Sequence, residues 1–192
     1  MFSSYKDSVV KLEISKEVKD LCWEYARGLD EHRTSGRHVG RFDDLFRSCI
    51  GQEIVRRWLE EKKIAHKYMK PYHSEGRPAN EFDILIGQEE FDVKTRSRWK
   101  EEYCHNIELL IGEHEQEEHL KVDYYIFCTT DEDLKYIYIL GGLSYNDLWE
   151  TIHEPKEFWD NAETKPRKYL FPTVGYILSR ELDSLKKIIF RV

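Results

Sequence analysis

The clearest pattern in the chain is an alternation of hydrophobic and polar residues that predicts two neighbouring strands, residues 81–86 and 89–95. Gly87 and Gln88 separate them, and a two-residue loop with glycine first favours a type II′ turn. Such a turn fixes which residues of the two strands lie opposite each other. The segment is therefore predicted to be a tight antiparallel hairpin.

The register of this hairpin places Asp83 directly opposite Asp92. Because side chains alternate between the two faces of a strand, Asp83, Asp92 and Lys94 are expected to share one face. The other face is apolar and comprises Phe82, Ile84, Ile86, Phe91 and Val93. Directly opposed like charges destabilise a sheet. We therefore expect a cation between the two carboxylates, which is the beginning of a metal-dependent active site.

Two helices are predicted before the hairpin. Residues 15–30 begin with Ser15 as a capping residue and carry apolar residues on one face. Residues 43–63 form the second helix, in which apolar residues recur at helical spacing. Its apolar stripe consists of Leu45, Phe46, Cys49, Ile50, Ile54 and Trp58.

The rest of the chain predicts shorter elements. The predicted strands are residues 64–72, 122–129, 136–140 and 169–171, with a terminal strand at 187–191, and the predicted helices are residues 113–119, 144–152 and 179–184. Strands followed by helices in this order indicate an α/β protein with a mixed central sheet flanked by helices. At 192 residues the chain is expected to form a single domain.

Composition narrows the class of protein. No apolar stretch approaches the roughly 20 residues that cross a bilayer, so we expect no membrane association. The four cysteines lack paired spacing and are typical of reduced thiols in a cytoplasmic protein. The net charge of −7 counts against a protein that simply coats nucleic acid, but not against an enzyme that acts on it.

Glu53 is an acid within the apolar stripe of the second helix. A buried acid must be paired, protonated or bound to a metal. Two interpretations remain open at this point. One is a salt bridge to an arginine of the sheet, and the other is a third carboxylate directed at the same metal site as Asp83 and Asp92.

Basic residues lie on both sides of this region of the sequence. Arg96, Arg98 and Lys100 follow the lysine strand, and Arg37 and Arg41 precede the second helix. Contacts to phosphates dominate nucleic-acid affinity, so these residues are candidates for binding nucleic acid. Ordinary solvated surface charge is the alternative for each cluster.

The order of a glutamate on an N-terminal helix, then Asp83, then Asp92-Val93-Lys94 resembles the PD-(D/E)xK nuclease superfamily, over roughly residues 40–142. Two features depart from that pattern. Phe82 precedes Asp83 where proline is typical, and Asp92 stands where glutamate is commoner. The resemblance implies a restriction-endonuclease-like fold with an N-terminal helical extension over residues 1–40, a catalytic core over 41–142 and C-terminal elements over 143–192.

The resemblance also implies an activity, namely a Mg²⁺- or Mn²⁺-dependent endonuclease that hydrolyses phosphodiester bonds of duplex DNA. Asp83 and Asp92 would bind the metal with the carbonyl oxygen of Val93, and Glu53 would complete the site. Lys94 would assist the attacking water. By analogy, a homodimer is expected. The alternatives are an inactive nucleic-acid-binding or assembly protein on the same fold, and a nuclease directed at RNA.

Overall fold

The computed structural model describes residues 9–31, 42–69, 82–97, 108–112, 122–153 and 173–190. Within these ranges the chain forms the strands β1 Val10–Glu13, β2 Lys67–Tyr68, β3 Ile84–Ile86, β4 Glu89–Ser97, β5 Glu108–Gly112, β6 Tyr124–Thr130, β7 Tyr136–Ser144 and β8 Thr173–Leu178. The α-helices are α1 Lys16–Glu31, α2 Phe42–Glu61, α3 Tyr145–Thr151 and α4 Leu185–Ile189, with a 3-10 helix at Ser179–Glu181. The predicted mixed α/β class is confirmed.

The main sheet has six strands in the order β1-β7-β6-β4-β3-β2. Neighbouring strands are antiparallel except for β4 and β6, which run parallel and pair Asp92 with Tyr125 and Lys94 with Phe127. A separate antiparallel pair joins β5 to β8. Asp92 and Lys94 thus lie on β4, in the interior of a mixed sheet.

One face of the main sheet is covered by α1 and α2. Their apolar side chains pack with Phe91 and Val93 of β4 and with alternate residues of β6 and β7 in one core. The helix α2 approaches the sheet closely at Gly51, where an added β-carbon would lie 1.7 Å from Thr95 Oγ1. Only glycine permits this approach, which brings the next turns of α2 against β4.

The opposite face packs against a second apolar cluster. It is built from Tyr125 and Phe127 of β6, from β7, and from residues of β5, β8 and α3. Residues paired side by side in parallel strands share a face, so Asp92 and Lys94 lie on this second face. The two faces of β4 therefore differ, with the helices on one and the candidate chemistry on the other.

The hairpin follows the predicted register, with Ile84 paired to Phe91 and Ile86 to Glu89. Gly87 has a φ of 64°, whereas Gln88 does not adopt a positive φ. A type II′ turn needs a positive φ only at its first central residue, so the backbone agrees with the predicted turn. The register prediction is confirmed for the residues of β3.

Three strand predictions are corrected. The first hairpin strand begins at Ile84 rather than at residue 81, so the alternation does not extend to Phe82, which packs against the second cluster instead of the first. Of the strand predicted at 64–72, only β2 forms within the described residues 64–69. The terminal strand predicted at 187–191 is wrong, because Ser184 caps the helix α4 there.

Some of the other predictions agree with the structure, and some concern residues outside the described ranges. Ser15 caps α1 by accepting the Val18 N–H at 3.3 Å, and the helix predicted at 43–63 is α2. The helix predicted at 113–119 and the strand at 169–171 lie outside the described residues. In the described ranges, no helix is long and apolar enough to span a membrane.

Candidate active site

The main chain of Asp83 is fixed on both sides although the residue precedes β3. Its N–H donates to the Phe91 carbonyl at 2.9 Å, and its own carbonyl accepts the Met69 N–H at 2.9 Å. Asp83 is thus tied to β4 on one side and to the residue after β2 on the other. Its side chain starts from a backbone position that two neighbouring segments determine.

The carboxylate of Asp83 accepts two hydrogen bonds, one from the main chain and one from a side chain. Its Oδ2 accepts the Val93 N–H at 2.8 Å, and its Oδ1 accepts a hydrogen bond from Gln52 Nε2 at 2.8 Å. Gln52 belongs to the helix on one face of the sheet, whereas Asp92 lies on the other. The Asp83 carboxylate therefore lies between the two faces, at the end of the short strand β3.

Asp83 and Asp92 are close enough for their carboxyl groups to interact. Burial is the largest cause that raises the pKa of Asp83, and the negative charge of Asp92 raises it further. The Val93 hydrogen bond and the charge of Lys94 oppose this rise without cancelling it. Two acids in a site with too little positive charge are a favourable place for a divalent cation.

Lys94 supplies the positive charge nearest to this pair. Its Nζ lies 2.7 Å from Asp92 Oδ2, and the two side chains are 33% and 20% exposed. The same Nζ lies 5.8 Å from the centre of the Tyr125 ring, so the ammonium group stays on the face of the second cluster. Asp92 and Lys94 are consequently accessible from solvent. The Asp83 carboxylate is held by its hydrogen bonds to Val93 and Gln52.

Glu53 has different partners from those of the aspartate pair. Its side chain is 1% exposed and forms salt bridges of 2.7 Å with both Arg56 and Arg57, which lie on its own helix. Burial alone would raise the pKa of Glu53, but the hydrogen bonds and charges of the two arginines outweigh it, so the pKa is lowered. Its burial agrees with the sequence, and its role as a metal ligand stays a prediction.

Tyr68 of β2 lies near both groups of acids. Burial raises the pKa of its hydroxyl, and the charges of Glu53 and then Asp83 raise it further. The hydroxyl is buried without a hydrogen-bond partner among the described residues. Its ring lies 5.6 Å from the Arg56 guanidinium.

The hydrogen bond from Gln52 to Asp83 was not predicted from the sequence. It lies one residue before Glu53, outside the apolar stripe, yet it is buried because Gly51 lets α2 lie directly on Thr95. A glycine beside two polar residues on a helix was the available signal, since it allows close approach of the helix backbone. A helix that buries a wider arc than its stripe also buries the polar residues at its border.

The remaining predicted site residues are only partly described. Val93 is 2% exposed and contributes its N–H to Asp83, while a metal-ligand role for its carbonyl stays a prediction. Arg96 is exposed on β4, two residues beyond Lys94. The other predicted nucleic-acid-binding residues, Arg98, Lys100, Arg37 and Arg41, lie outside the described residues.

The donor set of the site is two carboxylates. Across the ranges that the structure covers, no three His, Cys, Asp or Glu side chains form a group that could hold a metal ion. Mg²⁺ commonly binds through one or two carboxylates and keeps several waters, to which substrate phosphates are added. The pair of Asp83 and Asp92 fits that mode and does not resemble an all-protein cage.

Comparison of the chain with the models of known protein families, with curated proteins and with solved structures finds no match.

Proposed function

We propose that the chain is a Mg²⁺- or Mn²⁺-dependent endonuclease that hydrolyses phosphodiester bonds of DNA, with a fold of the PD-(D/E)xK superfamily. The observation that carries the proposal is the juxtaposition of Asp83 and Asp92 with the Lys94 ammonium group 2.7 Å from Asp92. The order of α2, the hairpin β3–β4 and the strands β6 and β7 supports the proposed fold.

Asp83 and Asp92 would hold the ion, with the Val93 carbonyl as a further ligand. When bound, the ion lowers the pKa of a water and neutralises charge that develops on the phosphate. Both roles require hard oxygen ligands and an accessible side, and Asp92 is accessible from the second face of the sheet. The hydrogen bonds to Asp83 orient its carboxylate in advance.

Lys94 would act on the attacking water and the phosphate. It lies two residues after Asp92, a distance of about 6.6 Å along a strand, on the same face. Its Nζ already contacts the carboxylate that would hold the ion. From there the ammonium group can orient a water by hydrogen bonding and attract a phosphate oxygen. Arg96 lies further along this face and would contact the nucleic-acid backbone.

Cleavage of supercoiled plasmid DNA in Mg²⁺ tests the proposal, with Asp92→Ala and Lys94→Met as the informative variants. We expect the wild type to nick or linearise the plasmid and each variant to lose at least about 100-fold in rate, since even groups outside the first ligand shell are worth 10–100-fold. Glu61→Gln is a control, because Glu61 is exposed and its one ion pair among the described residues is with the neighbouring Lys62 at 2.8 Å.

The other two candidate functions give different results in the same assay. DNA binding without any Mg²⁺- or Mn²⁺-dependent cleavage by the wild type would contradict the enzyme and indicate an inactive nucleic-acid-binding protein. Faster cleavage of labelled single-stranded RNA than of duplex DNA, abolished by Asp92→Ala, would indicate an RNA-directed nuclease. Loss of cleavage with retained DNA binding in Asp92→Ala supports the proposal.

A further inference from the structure

We propose that Gln52 is the positioning residue that α2 contributes to the metal site, in place of Glu53. This role of Gln52 rests on the proposed metal-dependent activity, and the sequence pattern predicts it for the neighbouring residue Glu53 instead. Gln52 would hold Asp83 through its amide nitrogen and receive a hydrogen bond from an ion-bound water through its amide oxygen.

The first observation is the direct contact with Asp83. Gln52 Nε2 lies 2.8 Å from Asp83 Oδ1, and the Gln52 side chain is more than nine-tenths buried. An ionised carboxylate only accepts hydrogen bonds, so the amide group must present its NH₂ to Asp83. This orientation leaves the amide oxygen as the free end of the side chain.

The second observation concerns that oxygen. Gln52 Oε1 is buried and has no hydrogen-bond partner among the described residues. A buried carbonyl oxygen without a donor is unfavourable, and proteins usually satisfy such groups with a side chain or an ordered water. A water on a divalent ion is a strong donor, because the ion withdraws electron density from its O–H bonds. An ion at Asp83 would bring such waters to this position.

Charge also favours Gln52 over Glu53 in this role. Glu53 is already neutralised by Arg56 and Arg57, so recruiting it to the ion would remove the acid that these two arginines share. An amide orients Asp83 without adding a negative charge, and two carboxylates alone balance a doubly charged ion. The close contact of Gly51 with Thr95 fixes the height of Gln52 above the sheet.

Binding of Mn²⁺ to the full chain, measured by isothermal titration calorimetry at pH 8 without nucleic acid, tests the role. Gln52→Met keeps the volume and removes both polar groups, and we expect it to weaken Mn²⁺ binding about 10–100-fold. Gln52→Glu keeps an oxygen at this position but loses the NH₂ group that holds Asp83, so we expect binding weaker than in the wild type and tighter than in Gln52→Met. Glu61→Gln, at an exposed residue of the same helix, is the matched control and should bind Mn²⁺ as the wild type does. Glu53→Gln compares the two candidate residues of α2, and a loss of affinity as large as that of Gln52→Met would overturn the choice of Gln52 over Glu53.

A purely structural role for Gln52 predicts the reverse ranking. An apolar side chain would then be tolerated at this buried position, and a third acid beside Asp83 and Asp92 would be the more harmful change. Wild-type affinity in Gln52→Met, or weaker binding in Gln52→Glu than in Gln52→Met, would overturn the inference. Thermal unfolding of each variant without metal shows whether it is folded at the temperature of the titration.

The same titration separates this inference from the proposed function. If the wild type binds no Mn²⁺ at all, the metal-dependent activity is contradicted and the inference falls with it. If the wild type binds Mn²⁺ and Asp92→Ala does not, while Gln52→Met binds normally, only the role of Gln52 is contradicted.

Discussion

Glu53 and Asp83 are acids beside the same helix, the first buried and the second half-buried, yet their surroundings are opposite. Glu53 is matched by two arginines of α2, which lower its pKa. Asp83 has another acid as its neighbour, and burial together with that acid raises its pKa. Burial of an acid is therefore not a sign of function by itself. A local surplus of negative charge that the fold maintains is the better indication of a cation site.

Removing each acid should have opposite effects on stability. Glu53→Ala leaves Arg56 and Arg57 without their shared partner and opens a buried space. We expect the free energy of unfolding to fall by about 2–3 kcal/mol, below the usual 3–5 for a broken buried pair because both arginines are partly exposed. Asp83→Asn removes an unfavourable charge and, at pH 8 without metal, should raise that free energy by on the order of 1 kcal/mol. Urea unfolding measures both.

The control for this pair of variants is Glu60→Ala. Glu60 also pairs with Arg56 but is 54% exposed, so its loss should change stability by less than about 0.5 kcal/mol. Stabilisation by Glu53→Ala, or a loss of more than about 2 kcal/mol in Asp83→Asn at pH 8, would contradict the distinction between the two acids.

Divalent cations should act on one acid site and leave the other unaffected. At a concentration 100 times the dissociation constant, Mn²⁺ should stabilise the wild type by about 2.7 kcal/mol. Glu53→Gln should show the same gain, and Asp83→Asn should show little or none. Thermal unfolding with and without Mn²⁺ measures the gain, and equal stabilisation of Asp83→Asn would place the ion elsewhere in the protein.

The separation between the two acid sites depends on how closely α2 lies on β4. Gly51→Ala places a β-carbon 1.7 Å from Thr95 Oγ1, so the helix must shift. We expect a loss of about 1–3 kcal/mol, as in other overpacked interiors. Adding Thr95→Ala should restore part of it, because it removes the Oγ1 that the new methyl group meets. A double variant as unstable as Gly51→Ala would show that the clash is not the cause.

The two acids should also have opposite pH dependence, which is the smallest of these effects. Asp83 has a folded pKa above its ordinary value of 3.8. Its contribution to the free energy of unfolding therefore falls as pH rises from 3.8 through that higher value. Glu53 has a folded pKa below 4.5, so its stabilisation is present above 4.5 and is lost as pH falls through the lowered value. Unfolding of wild type, Asp83→Asn and Glu53→Gln across this range measures both slopes.

The sequence predicted the hairpin well because local rules govern it. A glycine that adopts a positive φ sets the turn, and the turn sets the register that pairs Ile84 with Phe91 and Ile86 with Glu89. The helix α2 was also predictable from its apolar spacing. Glu53 was correctly placed in the interior, but its partners are arginines three and four residues along the same helix rather than an arginine of the sheet.

The missed features depend on tertiary contacts or on short segments. Gln52 is buried only because α2 rests on Thr95, which no helical periodicity reveals. The apolar run Ile188-Ile189-Phe190 is typical of a strand, but the spacing of Leu185, Ile188 and Ile189 suits one turn of helix, and the Ser184 cap begins that helix. β1 alternates apolar and polar residues over only four positions and gains its stability by pairing with β7.

The hydrogen bond from the Val93 N–H to Asp83 Oδ2 ties the position of the Asp83 carboxylate to the main chain next to Asp92. Side-chain rotation has little freedom to alter it, so the pair does not have to be assembled when an ion arrives. One additional residue between Gly87 and Gln88 that shifted the pairing by one position would turn the side chains of a strand to the other face. The fold therefore tolerates substitutions of exposed residues around Asp83 and Asp92 better than a change in the length of the Gly87-Gln88 turn.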